Sequence, residues 1–241
     1  MWAYQPSTFK SERWFAHHMH ILQTSIQANP NVGLYIYATD EFAILGPEAK
    51  SIKEEVEEVL GVPAHIISIA GTSLAGVFLA GNSKHLLVPP IVFEHELELL
   101  KQLPVEVHVF ETIHTALGNN LVINDHGIVA GPMFSKQEQQ QLHELLELPV
   151  HQIPIADIEV VGSSVVHSTK GGVIHRDARQ AEIDLVADTL KLPQLIPGTA
   201  NFGQPYVRSA IAANTHGFVI GASSGGPEVT NTDEALGFLD N

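Results

Sequence analysis

One short pattern returns five times along this chain, and any fold it adopts must honour that period. Glycines at positions 33, 76, 118 and 162, with Arg208 in the fifth place, follow one another at steps of 43, 42, 44 and 46 residues. Each sits near the front of an apolar run that reads as a strand: residues 32–38, 75–80, 117–123, 161–166 and 207–212. Seven residues after each anchor stands a small polar residue, Asp40, Ser83, Asp125, Thr169 or Thr215. Three of these turns end in Gly127, Gly171 and Gly217, which predicts hairpins closed by a left-handed glycine. Phe42 and His85 hold that place in the first two units, so those turns are expected to differ. A second apolar strand follows each turn, at 43–45, 86–88, 128–130, 172–174 and 218–220.

Helical spacing then takes over. Ile52, Val56, Val59 and Leu60 share one helix face, with Gly61 as the stop. Ser135 and Glu138 form a capping box ahead of Leu142, Leu145 and Leu146, and Asp177 precedes Ile183, Val186 and Leu190. Prolines 63, 104, 149 and 193 mark four helix exits, and a third strand returns after each, as at 65–69 and 105–110. The fifth unit lacks this return, while residues 20–27 are strand-like and belong to no unit of their own. That stretch is expected to complete the fifth unit and close a ring, since an open array leaves a raw sheet edge. The reading is one α/β domain over 19–241, with units of approximately 29–71, 72–114, 115–157, 158–201 and 202–241, and with 19–28 completing the last. Helices lie outside and strands surround the axis. A four-stranded propeller blade has a similar period but no helix, and a flat doubly wound sheet predicts no hairpin in every unit. Residues 1–18 are expected to be an appended leader outside the fold, with no apolar core or cleavage site of a secretory signal.

The chain carries 12 Lys and Arg against 27 Asp and Glu, a net charge of −15, so it lacks the clustered cations that track phosphates. Its natural partner is a basic protein surface, not free nucleic acid. It has no cysteine, which removes disulfides, thiolate metal sites and any thiol nucleophile, and fits a cytosolic protein. The uncharged stretch 61–81 is long enough to span a bilayer, but Pro63 and four glycines break it into short pieces. Fourteen histidines are scattered with no His-x-x-x-His pair on a helix, so no metal site is expected. Residues 221–226 match no nucleotide fingerprint and read as a loop leading into a helix near Pro227. Neither a serine elbow nor a cofactor motif occurs, and the chain reads as a binding surface, not an enzyme. The repeat glycines are explained by crowding near the axis. The residue after each anchor is the functional candidate: Leu34, Val77, Asn119, Ser163 and Ser209 are expected to gather around one pole as a docking face.

Several segments carry a family resemblance: Asn29-Pro30-Asn31-Val32-Gly33, Ser68-Ile69-Ala70-Gly71, Gly81-Asn82-Ser83 with Leu86-Leu87-Val88-Pro89, and Thr115-Ala116-Leu117-Gly118-Asn119. Thr169-Lys170-Gly171-Gly172, Gly198-Thr199-Ala200-Asn201-Phe202-Gly203, Gly226-Pro227-Glu228 and Glu234-Ala235-Leu236-Gly237 continue it. In this order and spacing the chain resembles translation initiation factor 6 of archaea and eukaryotes, most closely the archaeal form. The resemblance implies the pentein fold, a five-bladed α/β ring with five-fold pseudosymmetry. It also implies a cytoplasmic monomer that binds the intersubunit face of the large ribosomal subunit, beside ribosomal proteins and near the sarcin–ricin loop. There it blocks joining with the small subunit and takes part in large-subunit maturation. Carried over to this sequence, Leu117, Gly118 and Asn119 are the first contact residues, with Gly76 and Val77 next. Two departures stand out: Arg208 replaces a small residue at the fifth anchor, and Ser223-Ser224-Gly225 replaces an acidic-Thr-Thr run. The rival readings are a scaffold for another basic partner, and a guanidine-modifying enzyme of the same fold, whose cysteine nucleophile is absent here.

Overall fold

A computed structural model describes residues 19–239. The expected leader, residues 1–18, lies outside the described residues. The described chain opens with strand β1 (Ile21–Thr24). The first unit then contributes β2 (Ile36–Ala38), β3 (Ala43–Leu45), helix α1 (Lys53–Leu60) and β4 (Ala64–Ile66). The second holds β5 (Ala80–Gly81), β6 (His85–Val88), α2 (Glu94–Leu100) and β7 (Glu106–Val109). The third holds β8 (Leu121–Ile123), β9 (Ile128–Ala130), α3 (Lys136–Leu146) and β10 (Val150–Gln152). The fourth holds β11 (Val165–His167), β12 (Gly172–His175), α4 (Gln180–Leu190) and β13 (Leu195–Gly198). The fifth ends the described chain with β14 (Ile211–Ala213), β15 (Phe218–Gly221) and α5 (Gly226–Ala235).

These strands make five separate three-stranded sheets, which excludes a continuous doubly wound sheet and four-stranded blades. In each, the middle strand runs antiparallel to an inner strand through a hairpin and parallel to an outer strand beyond the helix. The outer strand of the fifth sheet is β1, paired with β15 from Ile21↔Phe218 to Thr24↔Gly221. Middle strands are buried along their whole length or nearly so, which is why they read as unbroken apolar runs without alternation. Each helix lays a narrow apolar stripe on its sheet, such as Val56, Val59 and Leu60 in α1 or Leu142 and Leu146 in α3. Each of the five core clusters also takes residues from the preceding sheet. Ala80 and Leu87 of the second sheet pack with Leu121, Ile128 and Leu142 of the third, while Ala212 and Val219 of the fifth pack with Ile36 and Leu45 of the first. No helix among the described residues is long and apolar enough to cross a membrane.

The front half of each expected opening strand is instead a single helical turn, at Val32–Leu34, Ala75–Phe78, Leu117–Asn120, Val161–Ser164 and Val207–Ala210. Four or so residues are too few to display a helical period, so apolar content alone pointed to strand. These axial turns touch in cyclic order, and a Cβ placed on each anchor glycine would strike the carbonyl oxygen of the preceding anchor. The distances are 1.9 Å from Gly76 to Gly33, 2.1 Å from Gly118 to Gly76 and 2.2 Å from Gly162 to Gly118. For Gly33 the struck oxygen is that of Arg208, at 1.9 Å, so the first turn lies against the fifth.

The hairpin glycines also have a different reason for being there. Gly127, Gly171 and Gly217 do not take positive φ. A Cβ on them would come within 2.2–2.5 Å of the Thr189, Ala235 and Val59 carbonyl oxygens near the ends of α4, α5 and α1. Close approach between neighbouring units, not turn handedness, requires glycine here. The turns themselves are built one residue earlier than the polar position singled out in the sequence. Thr39, Asn82, Asn124, Ser168 and Asn214 accept hydrogen bonds from backbone N–H groups two or three residues on. Asn124 and Asn214 then donate to the Leu190 and Leu60 carbonyls, and Ser168 to that of Leu236, closing orphan helix ends in the next unit. Gly61 takes φ +64° at the end of α1, and the Ser135–Glu138 capping box forms, both as the pattern predicts. Asp177 is not the cap of α4, whose first turn begins at Gln180.

Candidate docking face and axial cavity

The axial turns define one pole of the ring. Leu34, Val77, Asn119, Ser163 and Ser209 occupy equivalent places in the five turns, all half-buried and none charged. Leu34 and Ser209 share a shallow depression with Asn31 and Phe202. The other candidates serve differently. Leu117 is wholly buried in the third core cluster, and Gly76 and Gly118 are packed against neighbouring backbone. These three hold the turns together and offer no side chain to a partner. Of the Leu117-Gly118-Asn119 segment, only Asn119 reaches the surface.

Loops leading into the turns form the rim of this pole. Four are tight reversals with positive φ at Gln27 and Ala28, Ala70 and Gly71, Ala156 and Asp157, and Asn201, Phe202 and Gly203. In the last three, non-glycine residues tolerate this because a carboxylate clamps the turn from the neighbouring helix. Glu96 accepts from Ser68 Oγ at 2.6 Å, Ala70 N at 2.7 Å, Gly71 N at 2.9 Å and its own helix start at Phe93 N, 3.0 Å. Glu228 does the same for Thr199, Phe202, Gly203 and Gly225. Glu182 holds Ala156 and Arg179, and Glu138 holds Thr112 and Ser135. Each of these glutamates lies twenty residues after its anchor, a repeat signal that apolar periodicity passed over; the first unit has Lys53 there. The clamped rim presents the two most exposed large apolar side chains of the described chain, Ile113 at 88% and Phe202 at 84%.

At the opposite pole the hairpin tips enclose a cavity of about 140 Å³ on the axis. Thr215 donates from its backbone N to Asp40 at 2.7 Å and its hydroxyl lies 2.9 Å from that of Thr169, while Ser83 donates to Asp125 at 3.2 Å. The inner strands line the walls. Arg208 sends its side chain into this cavity, away from the pole of the axial turns, beside Tyr37 and His167. Its Nε and the Tyr37 hydroxyl have no hydrogen-bond partner among the described residues. The departure at the fifth anchor therefore changes the inside of the ring and leaves Ser209 in place on its face.

This cavity makes stability depend on pH. Burial, reinforced by the Arg208 charge, pushes the His167 imidazole down to about 4, and its backbone neighbours Ile123 and Ser168 and the Asp40 charge offset only part of it. The folded chain thus binds that proton far more weakly than the unfolded chain, whose histidines titrate near 6.5. Stability is full above pH 6.5 and falls as pH drops from 6.5 towards 4, by about 3 kcal/mol for the whole shift. Below 4.5 a second loss sets in. Desolvation acts to raise Glu96, Glu138 and Glu228, but their hydrogen bonds outweigh it and hold all three below 4.5. Protonating them as pH falls through those lowered values releases the clamps. Thermal melts from pH 8 to pH 3 are expected to show both phases, and His167→Gln to shrink the upper one, to which the burial-lowered His108 and His175 also contribute, while leaving the lower one. A wild-type melting temperature that stays flat between pH 6.5 and 4.5 would refute the assignment.

Two histidines and a carboxylate nonetheless meet on the second sheet. His85, Glu106 and His108 bring their ring nitrogens and carboxylate within 4.8 Å of one another. Residues over twenty positions apart meet because β6 and β7 pair in parallel, with His85 opposite Glu106 and Leu87 opposite His108. A helix-based spacing rule could not have found them.

The model of the eIF-6 family matches residues 21–235. Translation initiation factor 6 of Thermococcus onnurineus (strain NA1) is 36% identical over 229 residues, covering 92% of this chain and 100% of the relative. The Pyrococcus furiosus factor of the same name is 37% identical with the same coverage. That of Staphylothermus marinus is 32% identical, over 90% of this chain and 98% of its own. Among solved structures, a dimethylarginine dimethylaminohydrolase aligns over 84% of this chain and 71% of its own, with a TM-score of 0.45 and 15% identity. With a family match running through all five sheets and archaeal relatives more than 30% identical over nine-tenths of its length, the chain belongs to the eIF-6 family.

Proposed function

We propose that this translation factor binds the intersubunit face of the large ribosomal subunit through its axial-turn pole and sterically blocks joining with the small subunit. The observation that carries this reading is the chemistry of that pole. Five uncharged side chains at its centre can be covered without desolvating a charge, and the amide and hydroxyls among them need only find hydrogen-bond partners. Ile113 and Phe202 on the rim expose apolar surface that contributes free energy only when a partner covers it. The excess of 27 acidic over 12 basic residues in the chain favours basic ribosomal proteins and disfavours unspecific adhesion to rRNA. No bond is made or broken. A rigid ring seated on one surface excludes the other, and the chain works as a cytoplasmic monomer without a cofactor, with a further part in large-subunit maturation. A guanidine-modifying activity on this type of fold would need a cysteine nucleophile, and the sequence has none.

Sedimentation with purified archaeal subunits tests this. The chain is expected to travel with large subunits, to be absent from joined ribosomes, and to reduce joining when added first. Ile113→Glu and Phe202→Glu alter only exposed positions and are each expected to weaken co-sedimentation by about tenfold, with unchanged melting. His126→Glu, on the opposite pole, is the control and leaves binding intact. Equal binding by all three variants would place the interface elsewhere, and migration with unrelated complexes only would favour a general scaffold.

A further inference from the structure

The cluster on the second sheet lies outside both the docking pole and the axial cavity. We propose that His85, Glu106 and His108 form a binding site for a divalent transition metal of the Zn2+ type. His85 Nδ1 and His108 Nε2 lie 3.1 Å apart. Glu106 Oε2 is 3.7 Å from the first nitrogen and Oε1 is 3.8 Å from the second. Bonds of 2.0–2.1 Å meeting at a tetrahedral angle set donor atoms about 3.4 Å apart, so the three donors already outline one face of such a site. The backbone supplies this arrangement. Glu106 and His108 share a face of β7 by strand alternation, His85 is the register partner of Glu106, and the Glu106 N–H is tied to the Lys84 carbonyl at 2.8 Å. The two imidazoles are largely sheltered, at 22% and 14% side-chain exposure, whereas Glu106 at 68% is free to move the few tenths of an ångström that would complete the triangle.

The donor set speaks for the class of ion. Two imidazoles and one carboxylate suit Zn2+ and its neighbours, and fit poorly the all-oxygen shells of Mg2+ or Ca2+. A fourth position stays open to solvent for water or an added ligand. The site is also particular to the second unit, because His85 holds the place that Gly127, Gly171 and Gly217 take in the last three. Its mechanical consequence follows from topology. β7 is the outer strand of its sheet and, among the described residues, pairs with β6 alone, so an ion bridging the two fastens a sheet edge.

The full chain, stripped with chelator and titrated with Zn2+ alone, is expected to bind one ion more tightly than any background from its other histidines. His85→Gln with His108→Gln is expected to weaken that binding by about a hundredfold or more, and Glu106→Gln by about tenfold. Zn2+ at a hundredfold excess over Kd is expected to raise the wild-type melting temperature by about 5–10 °C and to leave the double variant unmoved. Nitrogen NMR of the wild-type imidazoles gives a reading that does not depend on the variants folding, since Zn2+ must shift His85 Nδ1 and His108 Nε2 selectively. Unshifted nitrogens, or equal Zn2+ affinity in the double variant, would overturn the site and leave a hydrogen bond between two neutral rings.

Discussion

Gly76→Ala is expected to lower the melting temperature by about 8–16 °C, the equivalent of about 4 kcal/mol in a chain of this length. The added Cβ would lie 1.9 Å from the Gly33 carbonyl oxygen and 2.8 Å from that of Ile36. Both are backbone atoms, so no side chain can rotate aside. The turn at Ala75–Phe78 would have to retreat by more than an ångström, yet its own Gly76 carbonyl is the surface against which Gly118 packs. Relief at one contact therefore compresses the next, and the cost exceeds that of ordinary overpacking, usually about 1–3 kcal/mol. Two other glycines calibrate the effect. Gly226 has nothing within 4 Å of its missing Cβ, so Gly226→Ala is expected to change stability by less than about 0.5 kcal/mol. Gly61 is left-handed at the end of α1, and Gly61→Ala is expected to cost about 1 kcal/mol for its φ of +64°. Differential scanning calorimetry of the three variants is the check. A Gly76→Ala melt within 2–3 °C of wild type would mean that the turns are not rigidly stacked about the axis.

The same contact explains what the sequence made legible. A pattern repeated at near-constant steps reports a repeated backbone environment, and five-fold architecture follows without knowledge of any contact. The identity of that environment did not follow, because a glycine is equally consistent with positive φ, a tight strand or a crowded turn. At Gly127 and Gly217 the crowding is against a neighbouring helix end, which lies far away in sequence. The clamping glutamates were visible in principle, since Glu96, Glu138, Glu182 and Glu228 keep the anchor spacing, but a search for apolar period ignores charged repeats. What the axial-turn pole displays was only half legible. The register of Asn119 and Ser209 came directly from the repeat, whereas the prominence of Ile113 and Phe202 depends on loop geometry that no periodicity encodes. The histidine cluster was hidden altogether, because strand pairing across a helical crossover decides which residues meet.

Removing residues 19–27 is expected to abolish cooperative folding. β1 joins the sheet that holds the other end of the chain, so its loss acts on both ends of the repeat at once. Ile26 is 1% exposed in the first core cluster, and Ile21 packs on the fifth, so the strand stitches two cores together. Leaving Ile26 out costs about 1.5–3 kcal/mol, and the half-buried Ile21 and Leu22 add to it. His20 Nε2 lies 2.7 Å from Asp233 Oδ1, and its ring stacks on Phe238 at 5.0 Å, so the C-terminal helix loses its seat as well. β15 would then present an unpaired edge. Together these losses reach the 5–15 kcal/mol that holds a typical domain folded. A chain begun at Met19 keeps every one of these contacts and serves as the reference. The shortened chain is expected to be insoluble or to melt without a transition, and addition of a peptide spanning residues 19–27 to recover part of the soluble fold. Ile26→Ala supplies the graded version, with an expected loss of about 2–5 kcal/mol. If the chain lacking 19–27 melted cooperatively at the reference temperature, the pairing of β1 with β15 would carry none of the stability assigned to it.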